Sequence, residues 1–229
     1  MVIFIKEHDI ISLIKMLDKD FYNKLREKIN PYYYDFGTHG MTHVNRVYNL
    51  SLKISKEEKN IDLEVIKSAA LLHDVARKLE TENSNICHAK KGSEIAKKIL
   101  KELKFPKDKI NDVCHCIEVH RYSKKLKPKT KEAKIIQDAD RLDALGAIAI
   151  ARIFNYENEK DRPLHIPELK PKETYTGNSE TAIIHFYEKI LKIKPESFKT
   201  KKAKEIAKER YDYVKEYVDR FIKEWNGEL

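Results

Sequence analysis

The chain has 229 residues, of which 41% are hydrophobic and 36% are charged, so it is long enough to bury one core and too apolar to be disordered throughout. No run of 18 apolar residues occurs and the first residues lack a signal-peptide core, which excludes a spanning helix and predicts a cytoplasmic protein with no membrane partner. The formal net charge of +9 is uneven, because residues 121–134, the basic stretch, hold seven basic residues and one acidic residue.

Apolar side chains recur at helical spacing along most of the chain, and no strand-like alternation is found. Before the basic stretch, helices are predicted over residues 2–29, from about Thr42, from Asp62, from His88 and from Pro106. Asp62 is expected to act as the N-cap of its helix. Residues 30–40, between the first two helices, are predicted to form a loop.

After the basic stretch, one strongly apolar helix is predicted from Ala133 to about Phe154. Residues 155–178 contain three Pro and several polar residues, which indicates an irregular excursion from the helical core. Two more helices are predicted to close the chain. The last one carries an apolar stripe formed by Ala203, Ala207, Val214, Val218, Phe221 and Trp225. It packs either inside the molecule or in a homodimer, and the whole pattern predicts a single all-α domain.

Several histidine and aspartate residues lie on the apolar faces of the predicted helices, where polar side chains are unusual. Asp74 directly follows His73, and Asp140 lies inside the most apolar predicted helix. Burying an unpaired carboxylate is costly, so a cation is expected opposite these aspartates. A divalent metal satisfies imidazoles and carboxylates together, and this ligand mix favours manganese, iron, cobalt, nickel or zinc over calcium. The histidines that extend the apolar stripes of four different predicted helices are His43, His73, His88 and His120.

These residues resemble a known pattern. His43, the pair His73-Asp74 and the later segment 138–143 are similar to the H…HD…D motif of the HD superfamily of metal-dependent phosphohydrolases. Segments 138–148 and 185–189 resemble the small stand-alone bacterial and archaeal members, some of which are nucleotide pyrophosphohydrolases. The resemblance implies a helical bundle of the HD-domain type over residues 1–229, with a core at about 39–154 and a C-terminal helical part at about 155–229.

The resemblance also implies roles for individual residues. The metal ligands that it implies are His43, His73, Asp74 and Asp140. Asp138 and Asp143 are expected to orient an imidazole or a water molecule, and together with Asp74 they are the candidate catalytic residues. The general base stays open between Asp74 and a hydroxide assisted by Asp138 or Asp143.

Two histidines leave a choice between one metal and two. His88 begins an H-x-x-x-G segment, and His120 lies where two-metal members of the family hold another histidine. The adjacent His-His pair and the Gly-Tyr-Pro signature of those members are absent from this sequence. The two residues are therefore expected either to contact substrate phosphate or to bind a second divalent metal.

The basic residues near these motifs suggest a phosphorylated substrate. Arg46, Arg77 and Lys78 are expected to bind phosphate oxygens, and Arg77 stands where several HD nucleotidases carry an acidic residue. The basic stretch is either a solvated loop or an electrostatic rim that attracts phosphorylated substrates or nucleic acid.

The function implied is metal-dependent hydrolysis of a nucleotide, by a nucleoside triphosphate pyrophosphohydrolase or a phosphatase. Two alternatives remain. One is a phosphodiesterase that acts on a cyclic nucleotide or an RNA end. The other is a module that binds nucleic acid or nucleotides through an inactive site, for which the basic stretch would supply the contacts.

Overall fold

The structure, a computed structural model, describes residues 19–34, 39–124 and 126–229. Within these ranges every regular element is a helix, which confirms the all-α prediction; residues 2–18 of the first predicted helix lie outside them. The α-helices are α1 (residues 19–29), α2 (Met41–Ser55), α3 (Leu63–Leu72), α4 (Arg77–Glu82), α5 (His88–Glu102), α6 (Ile110–Val119), α7 (Lys131–Leu142), α8 (Ala147–Glu159), α9 (Ala182–Glu188) and α10 (Lys201–Trp225).

Side-chain caps fix where several helices begin. The carboxylate of Asp62 accepts hydrogen bonds from the backbone N–H groups of Glu64 and Val65 at 2.9 and 3.2 Å, which confirms it as the N-cap of α3. The hydroxyl groups of Thr130 and Thr181 accept equivalent bonds at the beginnings of α7 and α9. These caps satisfy N–H groups that have no partner inside the helix.

The core is built around α3, which packs against α2, α6 and α7, while α5 packs on α6. Residues Ala69, Ala70, Leu71 and Leu72 at the end of α3 are fully buried. The two residues that directly follow α3, His73 and Asp74, are therefore also buried. Among the described residues, no helix has the length and apolar character that crossing a membrane requires.

The single helix predicted from Ala133 to Phe154 is wrong, because the structure has two helices there. α7 ends at Leu142, and α8 begins at Ala147 after Gly146, whose φ of +86° lies in the left-handed region that other residues rarely adopt. An apolar run alone does not reveal such a break.

The segment predicted as an excursion over residues 155–178 begins later than expected, because α8 continues to Glu159. Residues 160–181 then contain neither helix nor strand, and their path is fixed in part by a backbone hydrogen bond from Ile183 to Leu164 at 3.1 Å. The final helix, α10, packs against α7 and α8. Its stripe is buried from Ala203 to Val218, whereas Trp225 at its end is 47% exposed.

Candidate metal centre

The centre of the site is the turn after α3, where His73 and Asp74 lie. Both side chains are buried, because they follow the most enclosed helix of the core. His73 Nδ1 lies 2.8 Å from the carbonyl oxygen of Ala70. A carbonyl oxygen only accepts hydrogen bonds, so Nδ1 carries the proton and Nε2 presents a lone pair.

Three further imidazoles are oriented in the same way. His120 Nδ1 donates to a carbonyl oxygen of α6 at 2.6 Å. His43 Nδ1 lies 2.7 Å from Oδ2 of Asp143, and His88 Nδ1 lies 2.5 Å from Oε2 of Glu80. Each acceptor is a carbonyl or carboxylate oxygen, so in every one of these rings Nδ1 is engaged and Nε2 is the nitrogen left to face the other imidazoles.

The four Nε2 atoms meet in two pairs, at 3.2 Å between His43 and His73 and at 3.3 Å between His88 and His120. Asp74 lies between the pairs. Its Oδ2 is 3.7 and 3.8 Å from the first pair, and its Oδ1 is 3.2 and 3.6 Å from the second. Two lone pairs at such distances repel each other unless a proton or a cation lies between them.

Asp140 adds a carboxylate to the first pair, because its Oδ1 lies 3.4 Å from His43 Nε2 and 3.9 Å from His73 Nε2. The ligand atoms therefore form three overlapping donor groups, one of which consists of His39, His43 and Asp74. We call His43, His73 and Asp140 group 1, and Asp74, His88 and His120 group 2. Imidazole nitrogens combined with carboxylate oxygens fit a divalent transition metal, and such a cation would relieve the close approach of these donor atoms.

Both central carboxylates are held in the charged form. Burial opposes the charge on Asp74 and on Asp140, but the surrounding imidazoles lower the pKa of each well below its usual range. Burial also opposes the charged form of His43, yet hydrogen bonds to Asp140 and Asp143 raise the pKa of His43 to about 9. His73, which is fully buried, has its pKa lowered to about 4. The cluster thus holds fixed negative charge that a cation would neutralise.

Asp143 lies behind His43 and is itself surrounded by cations. Its Oδ1 accepts a hydrogen bond from Arg46 Nε at 2.7 Å, and its Oδ2 accepts bonds from Arg46, Arg152 and His43. Although burial opposes its charge, these bonds lower the pKa of Asp143 to about 2. The structure places Asp143 where it orients an imidazole, with both of its oxygens engaged.

Asp138 does not join the cluster, and its expected role beside an imidazole or a water is corrected. Its carboxylate accepts hydrogen bonds from the backbone N–H groups of Lys199 and Thr200 and from the hydroxyl group of Thr200, at 2.7 to 3.1 Å. Asp138 lies two residues from Asp140 and so faces a different side of α7. It joins that helix to the beginning of α10.

The three basic residues expected to bind phosphate have different surroundings. Arg46 is occupied by Asp143 through two hydrogen bonds. Lys78 turns away, because its ammonium group donates to the carbonyl oxygen of Pro31 and lies 4.6 Å from the ring centre of Tyr34. Neither Arg46 nor Lys78 lines the pocket beside the cluster, which corrects the expectation for both residues, whereas Arg77 lines it.

This pocket has a volume of about 570 Å³ and lies beside the cluster. His39 and Asp143 line it and contact the cluster, since His39 Nδ1 is 3.1 Å from Asp74 Oδ2 and Asp143 Oδ2 is 2.7 Å from His43 Nδ1. Most of the remaining wall comes from α4, α8, residues 160–181 (the irregular segment) and the end of α9. Its functional side chains include Arg77, Arg152, Tyr156, Tyr175, His185 and Lys189.

Sequence reasoning missed four residues of the site. His39 lies in a loop and Lys189 ends α9, so neither belongs to a periodic pattern that points to the cluster. Arg152 is one cation in an apolar helix. Glu80 had a usable signal, since it lies three residues after Arg77 and therefore on the same helical face.

Known proteins resemble this chain in both sequence and fold. Residues 40–145 match the family model of the HD domain. The protein YpgQ of Bacillus subtilis (strain 168) is 30% identical over 196 residues, which span 82% of this chain and 85% of YpgQ. The crystal structure of a HD-superfamily hydrolase from Bacillus thuringiensis superposes with a TM-score of 0.69 and 32% identity, over 90% of this chain and 98% of that one. For B. subtilis YpgQ in complex with ADP, the TM-score is 0.68 at 26% identity, over 90% and 95%.

Proposed function

Because this chain belongs to the HD superfamily of hydrolases, we propose that it is a metal-dependent phosphohydrolase whose substrate is a nucleoside triphosphate. The product released is either phosphate or pyrophosphate. The observation that carries the proposal is a buried cluster of imidazoles and carboxylates that lies directly beside a pocket lined with cations, the two being joined by His39 and Asp143. Such a pairing suits a phosphorylated molecule whose reacting phosphate lies at the cluster.

Group 1, together with Oδ2 of Asp74, is proposed to hold the first divalent cation. When bound, a transition metal supplies Lewis-acid chemistry that lowers the pKa of water and neutralises charge on a phosphoryl oxygen. The residues of this chain orient its ligands. Asp143 fixes the ring of His43, and the carbonyl oxygen of Ala70 fixes the ring of His73.

Group 2 favours a second cation over direct contact with phosphate. A histidine that binds phosphate needs an N–H group facing it, but the Nδ1 protons of His88 and His120 are already donated to Glu80 and to a backbone carbonyl. Their Nε2 atoms face Oδ1 of Asp74, so all three ligand atoms converge on one position. Asp74 is therefore proposed to bridge two metal positions.

The phosphate groups are proposed to bind Arg77, Arg152 and Lys189. Desolvation and the nearby charges of Arg152 and Arg77 lower the pKa of Lys189. Within the part of the chain that the structure describes, no carboxylate forms an ion pair with Lys189. A polyphosphate would relieve this crowding of positive charge.

None of the three candidate carboxylates is free to accept the proton of the attacking water. Asp138 binds the beginning of α10, and both oxygens of Asp143 are engaged by Arg46, Arg152 and His43. Asp74 lies in the centre of the cluster, but its two oxygens face the two donor groups and its pKa is well below its usual range. We therefore assign the proton of the water to solvent rather than to one of these carboxylates.

Nucleotides are favoured over other phosphate esters because the B. subtilis relative was crystallised with ADP. The tyrosines of the pocket, Tyr156 and Tyr175, supply aromatic surface for a base. A phosphodiesterase acting on a cyclic nucleotide or an RNA end is a second candidate, since two adjacent donor groups suit a substrate held between two cations.

The test combines elemental analysis of the purified protein with product identification from a panel of nucleoside triphosphates and diesters. We expect bound transition metal and release of phosphate or pyrophosphate. Asp74→Ala should lose both, because it removes a ligand from each metal position. The matched control is Asp108→Ala, an exposed aspartate outside the site, which should keep both. A metal-loaded wild-type protein that hydrolyses nothing would refute the proposal.

A further inference from the structure

Three polar side chains form a buried relay in which one member, His185, lines the pocket. Glu188 is 1% exposed, Ser179 is 3% exposed and His185 is 8% exposed. Ser179 Oγ lies 2.6 Å from Oε2 of Glu188 and 3.4 Å from Nδ1 of His185. Glu188 and His185 belong to α9, and Ser179 belongs to the irregular segment before it. Among the described residues, no hydrogen bond or ion pair joins these three side chains to group 1 or group 2.

The direction of the relay follows from its members. The other carboxylate oxygen of Glu188 accepts a bond from the backbone N–H of Lys172, so Glu188 acts as an acceptor on both sides. Its pKa is lowered despite burial, because it accepts these bonds from Ser179 and Lys172. The hydroxyl proton of Ser179 is therefore donated to Glu188, and its oxygen is left to accept from His185. His185 carries its proton on Nδ1.

The second ring nitrogen of His185 is consequently an acceptor. Within the described ranges Nε2 has no hydrogen-bond partner, yet it is not a closed-off polar atom, because His185 lines the pocket. Burial and the charge of Lys189 lower the pKa of His185 to about 4, so the ring stays neutral at pH 7. The edge of Tyr175 packs against the ring at a centroid distance of 5.4 Å and fixes its orientation.

The chemistry of Nε2 decides which part of the ligand it can meet. Lys189 lies close by, since its ammonium group is 5.0 Å from the ring centre of Tyr175, so a cation stands beside this wall. A neutral Nε2 can only accept a hydrogen bond, however, and an ionised phosphate oxygen has no proton to donate, so the group that meets Nε2 comes from the uncharged part of the ligand. Tyr156 and Tyr175 line the same pocket as His185. An aromatic surface with one fixed acceptor suits a nucleoside.

We propose that Nε2 of His185 accepts a hydrogen bond from the nucleoside of the bound substrate and makes His185 a specificity-determining residue. The donor is either the exocyclic amine of the base or a hydroxyl group of the sugar, which offer the same chemistry. This inference rests on the proposed function, because it assigns the nucleoside end of the same pocket.

The test compares kcat/KM for ATP, for the triphosphate of purine riboside, which lacks the amine, for 2′-deoxy and 3′-deoxy ATP, and for inorganic tripolyphosphate. For the wild-type protein we expect one of the three analogues to fall below ATP by about 10- to 100-fold, since a buried acceptor loses its partner. That analogue identifies the donor. In His185→Phe the kcat/KM values for ATP and for this analogue should agree to within about 2-fold.

A second variant separates recognition from a structural role. Ser179→Ala removes the acceptor of Nδ1, so it should reduce the same discrimination by a smaller factor while the other analogues keep their ratios. His165→Phe is the matched control, because His165 packs against Phe221 and Trp225 outside the pocket. It should leave all ratios unchanged.

The possible outcomes are distinct. Equal kcat/KM for ATP and all three analogues in the wild type overturns the role of His185 but leaves the hydrolase intact. A loss in His185→Phe that is the same for every substrate, tripolyphosphate included, indicates a structural residue and also overturns the inference. Absence of turnover on every compound, with metal bound, refutes the proposed function and this inference with it.

Discussion

The two donor groups of the cluster differ in what supports them. Behind His43 in group 1 lies Asp143, whose side chain is 2% exposed and is enclosed by Arg46 and Arg152. Behind His88 in group 2 lies Glu80, which belongs to the six-residue helix α4 and has a side chain that is 17% exposed.

Glu80 also serves other partners. Its carboxylate accepts bonds from Arg77 and from Arg121, each at 2.7 Å. Arg77 lines the pocket, and Arg121 begins the basic stretch. Group 1 is thus supported by the core, whereas group 2 depends on a carboxylate that also faces the substrate side. Because such supporting residues tune metal affinity, we expect tighter binding at group 1 and coupling of group 2 to phosphate at Arg77.

The largest effect is expected from Asp143→Asn. The amide group cannot neutralise both arginines, and it weakens the acceptor behind His43. We expect metal affinity at group 1 to fall by about 10- to 100-fold and the free energy of unfolding to fall by about 1–3 kcal/mol. Competition with a chelator and denaturant unfolding measure the two quantities. Asp108→Asn is the control, and unchanged affinity in Asp143→Asn would contradict the support assigned to group 1.

A smaller and more selective effect is expected from Glu80→Gln. The loss of charge weakens the hold on His88 without touching His43 or His73, so metal affinity at group 2 should fall by about 10-fold while group 1 is unchanged. Measured at a free metal concentration near the wild-type dissociation constant of group 2, the occupancy of this position would fall from about one half to about one tenth. Glu94→Gln, on the exposed face of α5, is the control. Equal losses at both positions would show that the two groups are not independently supported.

The smallest effect is expected at Gly146, in the turn that follows Asp143. Gly146→Ala should lower the free energy of unfolding by about 1–2 kcal/mol, because its φ of +86° is strained for any residue with a Cβ atom. That Cβ would also lie 3.1 Å from Cγ of Arg210. Gly227→Ala is the control, because Gly227 also has a positive φ, of +72°, but a Cβ atom at this position would meet nothing within 4 Å. Equal losses in thermal unfolding would exclude a role for the Arg210 contact.

Periodicity made much of the cluster predictable. His43, His73, His88 and His120 each extend an apolar stripe, and such stripes face a common core, so their meeting follows from helix geometry. Asp140 could be chosen over Asp138 only through the family resemblance. Spacing along α7 does not reveal that one of them faces the cluster and the other the beginning of α10.

The lining of the pocket was much less predictable from the sequence, because contacts between residues that lie far apart in the chain determine it. Nothing in the sequence near Arg46 indicates that Asp143, 97 residues later, would occupy its guanidinium group. Lys189 and His185 line the pocket only because the irregular segment returns α9 to the cluster. The break at Gly146 was missed for a local reason, since a lone glycine in an apolar run is compatible with either one helix or two.

The bonds between Asp138 and the beginning of α10 have a consequence for dissecting the molecule. The segment that matches the HD family model, residues 40–145, contains Asp138 but ends far before Lys199 and Thr200. A fragment cut at that boundary would lose the donors that Lys199 and Thr200 supply to this carboxylate, two positions from Asp140, and would expose the face of α7 that α10 covers. We therefore expect the smallest stable fragment to extend at least into α10, beyond the segment that the family model recognises.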